Sequence, residues 1–246
     1  MFPYIDLFGN ILSTYSVLGV AALVIATAVA ALRAKRHNLD ANDLILAVLF
    51  AGVGLVAGGM LLFAIVQLAQ GLRPFGGMVF YGGLFGALAL LCLYAKVQRK
   101  NLADVIAVTV PVLPLAHGIM RLGCFAAGCC FGVPHDTLGI AFTNSVVAPN
   151  GIPLLPVQLY ETALNFVIFI GLWLFSRKKR QATSLLGVYA LSYAAGRFAL
   201  EFLRGDVHRG FVLGVSTSQF ISILVAVACV VMLLIRKSKT AATIRR

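Results

Sequence analysis

Charged side chains are scarce in this sequence, and acidic ones are the scarcest. Charged residues make up 11% of the 246 positions, only eight residues are Asp or Glu, and 61% of the chain is hydrophobic. A soluble domain carries roughly 25% charged residues. This shortage excludes a water-soluble core, and we predict an all-α integral membrane protein with a single domain over residues 1–246.

The sequence also lacks the common nucleotide and metal motifs. It has no Walker-type loop, no G-x-G-x-x-G between a strand and a helix, and no paired C-x2-C zinc spacing. The net charge of +12 would suggest nucleic acid for a soluble protein, but in a bilayer protein the positions of the charges matter more. We therefore predict no nucleic-acid partner, no cofactor and no metal.

Seven apolar segments are long enough to cross a bilayer, which takes about 20 residues. They cover approximately 14–32, 44–69, 79–95, 104–123, 158–176, 183–203 and 214–235. Glycine and proline in the second and fourth segments are tolerated where neighbouring helices satisfy the freed backbone groups. The sequence therefore predicts a bundle of about seven transmembrane helices.

Lysines and arginines cluster after alternate segments. Fifteen of the twenty, including all seven lysines, follow the first, third, fifth and seventh spans. Because basic residues accumulate on the cytoplasmic side, we predict that the N-terminus is outside and the C-terminus is cytoplasmic. The polar, Pro- and Gly-containing connection 134–156 is then extracytoplasmic, and we expect it to lie over the mouth of a cavity.

The other five basic residues are all arginines within the spans or on the outer side. They are Arg73, Arg121, Arg197, Arg204 and Arg209. A charge in the membrane is costly unless it is paired or solvated, and a guanidinium matches phosphate oxygens. We therefore expect an outward-opening cavity that binds an anionic phospholipid head group. The alternative is pairing with acids, which Arg197 and Glu201 favour by their spacing of four, whereas no acid lies near Arg121 in sequence.

Several polar residues share helix faces. In the sixth span Tyr193, Arg197, Glu201 and Arg204 follow one another at spacings of four, four and three, so they form one stripe. Such a stripe is expected to face a partner helix or a wet cavity. In the fifth span Gln158 and Glu161 are three residues apart and share a face.

His117 precedes Arg121 by four residues, so both point to one side of an unbroken helix. A histidine beside an arginine has a lowered tendency to protonate, which suits a neutral base; a buried histidine bonded to a backbone carbonyl is the alternative. Tyr81 is either an interface anchor or a hydroxyl aimed into the cavity. Gly82 and Gly86 form a small-xxx-small pair that predicts close helix contact.

Five cysteines fall into two groups. Cys92 and Cys229 lie mid-span and are predicted to be small core residues. Cys124, Cys129 and Cys130 follow the C-x4-C-C spacing. This spacing is not typical of a zinc site; close packing of the turn, a disulfide on the outer face and a reactive thiol are the other interpretations.

Four motifs together resemble those of the prolipoprotein diacylglyceryl transferase family, over nearly the whole chain. GGMVFYGGLFG (76–86) is similar to G-G-M-S-F-H-G-G-L-x-G, and RLGCFAAGCCFG (121–132) is similar to the signature G-R-[IL]-G-N-F-x-N-G-E-x-[WY]-G. LPVQLYE (155–161) is similar to H-P-[ST]-Q-L-Y-E, and GRFALEFLRGD (196–206) to F-R-x-x-x-E-F-x-R-x-[PD]. The order of the motifs and the seven spans also match.

The resemblance implies a reaction in the bacterial cytoplasmic membrane. The family moves a diacylglyceryl group from phosphatidylglycerol to the lipobox cysteine thiol of a prolipoprotein and releases glycerol phosphate. It implies that Arg121 and Arg204 hold the phosphate on which charge develops, and that Arg197 and Glu201 support them as a pair. The further substrate-binding positions that it implies are Tyr193, Gln158, Tyr160, Glu161 and Gly132.

Some positions depart from the family pattern. Tyr81 stands where the family has a histidine, so Tyr81 or His117 is the candidate general base. Cys124 and Cys129 stand where the signature has asparagine and glutamate, and Leu155 replaces the histidine of the third motif. These losses keep three other functions open: the same donor with another lipid, a glycan or a small thiol as acceptor; a thiol–disulfide membrane protein; and a non-enzymatic lipid-binding protein.

Overall fold

The computed structural model describes residues 1–69, 71, 80–145, 147–205, 211–212 and 214–244. Side chains are described for all of these except Val66, Phe80, Tyr81, Phe211, Val212 and 233–244. Arg73 and Arg209 lie outside the described residues, and so does the side chain of Tyr81.

The described chain is mostly helical. Helices α1 to α8 are, in order, Thr14–Ala34, Ala41–Ala69, Phe80–Val97, Leu102–Thr109, Leu113–Ala127, Val157–Phe175, Ala182–Glu201 and Thr217–Ile244. Strands β1 to β6 are Tyr4–Leu7, Asn10–Ser13, Ile140–Ala141, Pro153–Leu154, Phe211–Val212 and Val215–Ser216. The strands form three antiparallel pairs, β1–β2, β3–β4 and β5–β6, which the all-helical prediction did not include.

Each predicted span coincides with helical structure. Among the described residues, four continuous helical segments have the length and hydropathy needed to cross a membrane, and they are Thr14–His37, Ala41–Ala69, Leu102–Ala127 and Val157–Phe175. Gly82–Val97 and Thr217–Met232 are shorter apolar helical stretches. The structure is therefore consistent with a helical membrane protein.

Prolines divide the fourth predicted span. A 3-10 turn at Val110–Val112 separates α4 from α5, because Pro111 and Pro114 lack the N–H that a continuous helix would use. α5 then runs unbroken to Ala127 and ends at Gly128, whose φ of 75° lies in the left-handed region. Glycine suits this C-cap, since it has no Cβ to clash there.

The chain forms two compact units, and one of them is Thr27–Thr109. In it α2 packs closely along α3, and a Cβ at Gly54 or Gly86 would overlap the backbone of the other helix. This confirms the close contact predicted from the glycine pair in α3. Lys100 Nζ lies 2.7 Å from Asp43 Oδ2, so an ion pair holds one end of the unit.

The other unit contains Met1–Ala26 and Val110–Arg246, and its helices α5, α6, α7 and α8 pack in sequence order. Gly118 allows the ring of Phe166 to approach α5, since a Cβ at Gly118 would lie 2.7 Å from that ring. Thr162 Oγ1 donates to the carbonyl of Gly118 at 3.2 Å. The polar faces of α5 and α6 are thereby turned toward each other.

The connection 134–156 folds around a small core that also includes Phe131. The β3–β4 pair closes it, and Phe131, Phe142, Ala148 and Leu154 are buried together. The amino group of Met1 donates to Thr143 O at 2.9 Å. A compact loop of this kind is a defined surface rather than a loose linker.

Candidate active site

Helix α5 places His117 and Arg121 on one face, as their spacing predicted. Arg121 Nε donates a hydrogen bond to His117 Nε2 at 3.3 Å. Because this nitrogen accepts, His117 is neutral in this arrangement and carries its proton on Nδ1. The histidine therefore helps to fix the direction of the guanidinium.

Helix α6 supplies the partner that the sequence did not suggest for Arg121. Arg121 Nη2 lies 3.0 Å from Glu161 Oε1, and the Glu161 side chain is 1% exposed. These two residues are forty positions apart and meet only because α5 packs on α6. A buried carboxylate of this kind requires a charged or hydrogen-bonded partner, so Arg121 and Glu161 are mutually dependent.

Helix α7 completes this group with Tyr193. The Tyr193 hydroxyl donates to Glu161 Oε1 at 2.9 Å, and its ring lies 5.2 Å from that of His117, centroid to centroid. His117 Nε2 is also 3.7 Å from the same carboxylate oxygen. We call His117, Arg121, Glu161 and Tyr193 the Arg121 cluster; it joins three helices through one buried carboxylate.

A second ion pair lies on the same stripe of α7. Arg197 Nη2 is 2.7 Å from Glu201 Oε2 and donates to Ser218 Oγ of α8 at 3.1 Å. This confirms the pairing predicted from the i,i+4 spacing. Arg197 Nη1 is buried and has no hydrogen-bond partner within the described part of the chain. This nitrogen can therefore still donate a hydrogen bond to a ligand.

Arg204 lies after the end of α7, and backbone hydrogen bonds rather than a helix determine its position. It is buried and pairs with Gly132 in an antiparallel bridge. Segments 131–133, 155 and 203–205 form what we call the backbone ladder. Its hydrogen bonds run from Gly132 N to Leu155 O (2.9 Å), Val133 N to Leu203 O (2.9 Å), Leu155 N to Val133 O (3.0 Å) and Gly205 N to Phe131 O (3.1 Å).

At Gly132 three segments of main chain therefore approach one another closely. A Cβ there would lie 2.6 Å from Leu155 Cβ and 2.7 Å from Leu203 O. The predicted role of Gly132 as a substrate-binding residue is untested, but the ladder explains why a glycine occupies the position. The ladder also fixes the segment that follows α5 beside the segment that follows α7.

The fifth-span motif divides into buried and less buried positions. Gln158 is 1% exposed, and its Nε2 donates to Cys129 O at 2.7 Å. Tyr160 is half-buried and does not take part in the hydrogen bonds of the Arg121 cluster described above. Asn165, which sequence analysis missed, is fully buried and donates to Glu161 O at 2.8 Å; its i,i+4 relation to Glu161 was the available signal.

The three cysteines after Arg121 converge. Each pair of sulfur atoms of Cys124, Cys129 and Cys130 lies within 4.8 Å, and all three are free thiols. The neighbouring thiols of Cys124 and Cys129, followed by the charges of Arg121 and Arg204, hold the pKa of the Cys130 thiol below its usual range. Both arginines of the predicted phosphate site therefore act on the Cys130 sulfur.

The remaining cysteines give a mixed result. Cys229 is buried in α8, as predicted for a core residue, whereas Cys92 is exposed on α3. The core prediction for Cys92 is wrong, because its side of α3 is not covered by another helix of the Thr27–Thr109 unit in the described residues.

Comparison with known proteins gives a consistent result. The sequence model of the family "Prolipoprotein diacylglyceryl transferase" matches residues 4–235. The phosphatidylglycerol–prolipoprotein diacylglyceryl transferase of Clostridium tetani (strain Massachusetts / E88) is 36% identical over 228 residues, which cover 89% of this chain and 90% of the relative. Transferase 2 of the same name from Clostridium perfringens (strain 13 / Type A) is 30% identical over 243 residues, or 95% and 94% of the two chains.

Proposed function

Because the chain belongs to the prolipoprotein diacylglyceryl transferase family, we propose that it transfers a diacylglyceryl group from phosphatidylglycerol to the lipobox cysteine thiol of a prolipoprotein. The observation that carries this function is the family match along nearly the whole chain. The Arg121 cluster supports it, because the reaction needs cations at a phosphate leaving group. The contacts of the cluster also suggest which residues bind the lipid and which position them.

Arg121 and Arg204 are proposed to hold the phosphate of the donor lipid. As the glyceryl C–O bond breaks, negative charge grows on the phosphate oxygens, and preorganised guanidinium groups lower the energy of that state. Their common effect on Cys130 and the Gly132–Arg204 bridge support a convergent position. Glu161 and Tyr193 act as positioning residues, since they determine where the Arg121 guanidinium points.

Arg197 is proposed to contribute to binding of the same head group. Glu201 and Ser218 hold one end of its guanidinium, while the buried Nη1 remains available to a phosphate or glycerol oxygen. Gln158 keeps the Cys129 carbonyl in place, and Tyr160 and Gly132 belong to the proposed substrate surface. This arrangement gives the donor lipid several charged contacts from different helices.

The proton of the acceptor thiol needs a recipient, for which Tyr81 and His117 are the candidates. The His117 Nε2 lone pair already accepts from Arg121. Proton acceptance by His117 therefore requires that this hydrogen bond opens when lipid binds. Tyr81 lies on α3 with its side chain outside the described residues, so its candidacy depends on its motif position alone.

We propose a multi-pass protein of the bacterial cytoplasmic membrane, with seven spans, an external N-terminus and a cytoplasmic C-terminus. The basic segments after α1, α3 and α6 support this orientation through the positive-inside rule. The folded connection 134–156 then covers the lipid site from outside. Reporter fusions at residues 100 and 180 should be cytoplasmic, and a reporter inserted in the connection should be external; the reverse pattern would contradict the topology.

The activity is tested with purified protein, phosphatidylglycerol in mixed micelles and a lipobox peptide. Release of glycerol phosphate and formation of the peptide thioether are measured together. Arg121→Lys keeps the positive charge beside Glu161 but loses the planar fork, and we expect the rate to fall roughly 10²- to 10³-fold. Arg180→Lys, at an exposed arginine outside the cluster, is the matched control and should retain the parental rate.

One second candidate keeps the donor and changes the acceptor. The buried thiol of Cys124 and the buried apolar side chain of Leu155 occupy positions where the family pattern has asparagine and histidine, which favours an acceptor surface of different chemistry. Rescue of a strain that lacks its own transferase separates the two candidates. Growth supports the prolipoprotein acceptor, whereas phosphatidylglycerol turnover without rescue supports another acceptor.

A further inference from the structure

The turn after Arg121 brings three cysteine side chains together. The thiols of Cys124, Cys129 and Cys130 all lie within 4.8 Å of one another, although a C-x4-C-C spacing does not indicate such a group. A disulfide would use only two of them. The convergence of all three on one point is the observation that needs a function.

The backbone of the turn that carries the three cysteines has an unusual conformation. Gly128 and Cys130 both have positive φ, at 75° and 61°, and the left-handed region is uncommon for a residue other than glycine. Cys129 N donates to Cys124 O at 3.1 Å, which folds the turn back on the end of α5. Gln158 then fixes the Cys129 carbonyl from α6. The turn is therefore held in place from two sides.

We propose that Cys124, Cys129 and Cys130 form a binding site for a thiophilic metal ion, and that Zn²⁺ is the ion that fits it best. Thiolates are preferred ligands of zinc. At a Zn–S distance of about 2.3 Å, three sulfurs on a tetrahedral ion lie about 3.8 Å apart, so small side-chain rotations suffice. Three thiolates on Zn²⁺ leave one net negative charge, and Arg121 Nη1 lies 3.9 Å from Cys124 Sγ to balance it.

Three protein ligands leave a fourth position on the ion, as in catalytic zinc sites. If the proposed function holds, on which this step rests, the acceptor is a cysteine thiol, and its sulfur is the ligand that suits the open position. The thiol loses its proton on binding, and the recipient is the base named above, Tyr81 or His117. Its sulfur then forms the S–C bond to the glyceryl carbon while the C–O bond to phosphate breaks, and glycerol phosphate leaves with the electron pair.

The metal site is tested without reference to activity. Full-length protein is purified in detergent, incubated with ZnCl₂, desalted and measured for zinc by mass spectrometry. We expect about one zinc per chain, a loss of at least roughly tenfold in affinity in Cys124→Ser, Cys129→Ser and Cys130→Ser, and no change in Cys92→Ser. A parent protein without zinc, or equal binding in all four variants, overturns the proposal.

Alkylation of the parent protein decides the question even if a variant does not fold. Zinc should protect the three cluster thiols from N-ethylmaleimide, and a chelator should remove the protection, while the extent of reaction at Cys92 should be the same in both conditions. Reaction that zinc does not change, or a native disulfide within the cluster, overturns the site.

Cobalt substitution tests the fourth ligand separately. A lipobox peptide should shift the sulfur-to-cobalt absorption, and the same peptide with serine in place of cysteine should not. An identical spectrum with both peptides overturns acceptor binding at the metal. Bound zinc in a protein that transfers no lipid would contradict the proposed function while supporting the site.

Discussion

Neutralising Glu161 is the sharpest test of the Arg121 cluster. Glu161→Gln keeps the size of the side chain and an oxygen for Arg121 and Tyr193, but it removes the buried charge that both residues now contact at 3.0 and 2.9 Å. The substitution therefore asks whether the carboxylate charge, rather than its shape, determines how the guanidinium is held.

The expected magnitude follows from the two hydrogen bonds. A bond to a charged group contributes about 1.5–3 kcal/mol, against about 1 kcal/mol for a neutral pair. Weakening both bonds by about 1–1.5 kcal/mol each loses about 2–3 kcal/mol of positioning, which corresponds to roughly 30- to 150-fold in rate. The carboxylate also competes with phosphate for Arg121, so the KM for phosphatidylglycerol should stay constant or fall while kcat falls.

The assay measures initial rates of glycerol phosphate release over a range of phosphatidylglycerol in mixed micelles. Thermal unfolding in the same detergent reports any loss of fold. Asp136→Asn, at an exposed acid in the outer connection, is the charge-matched control. A parental kcat in Glu161→Gln, or a raised KM with unchanged kcat, would refute the positioning role.

Two further predictions concern backbone crossings. Gly132→Ala should destabilise the protein by about 1–3 kcal/mol, because its Cβ would meet Leu155 and Leu203 O; Gly171→Ala, in open space on α6, should unfold at an equal or higher temperature. Gly86→Ala should lower the yield of folded protein by separating α2 from α3, and Gly52→Ala, with no atom near its Cβ, should not. Unfolding curves and size-exclusion profiles check both, and equal behaviour within either pair contradicts the packing described.

Local spacing predicted the contacts within single helices. The pairs His117–Arg121 and Arg197–Glu201 are both four residues apart, and both contacts are present. Within a helix the geometry is set by 3.6 residues per turn, so spacing is sufficient. The four motifs could also be recognised from the sequence, because each is a short continuous segment.

The glycine pair of α3 predicted one close helix contact, but the sequence did not predict which side chains meet between helices. The pairing of Arg121 with Glu161 depends on how α5 rotates and slides on α6, which Gly118 and Phe166 determine. The meeting of the three thiols depends on positive φ at Cys130, a conformation that a non-glycine residue rarely adopts. The strands of the outer connection were missed because segments of two residues carry no periodicity.

The backbone ladder has a consequence for how such an enzyme tolerates change. The main-chain bonds from Val133 N to Leu203 O and from Gly205 N to Phe131 O tie the segment that follows α5 to the segment that follows α7. The backbone of Arg204 is therefore held beside the end of α5 by bonds that do not depend on side-chain identity. Substitutions of lipid-facing side chains should therefore leave this main-chain arrangement unchanged.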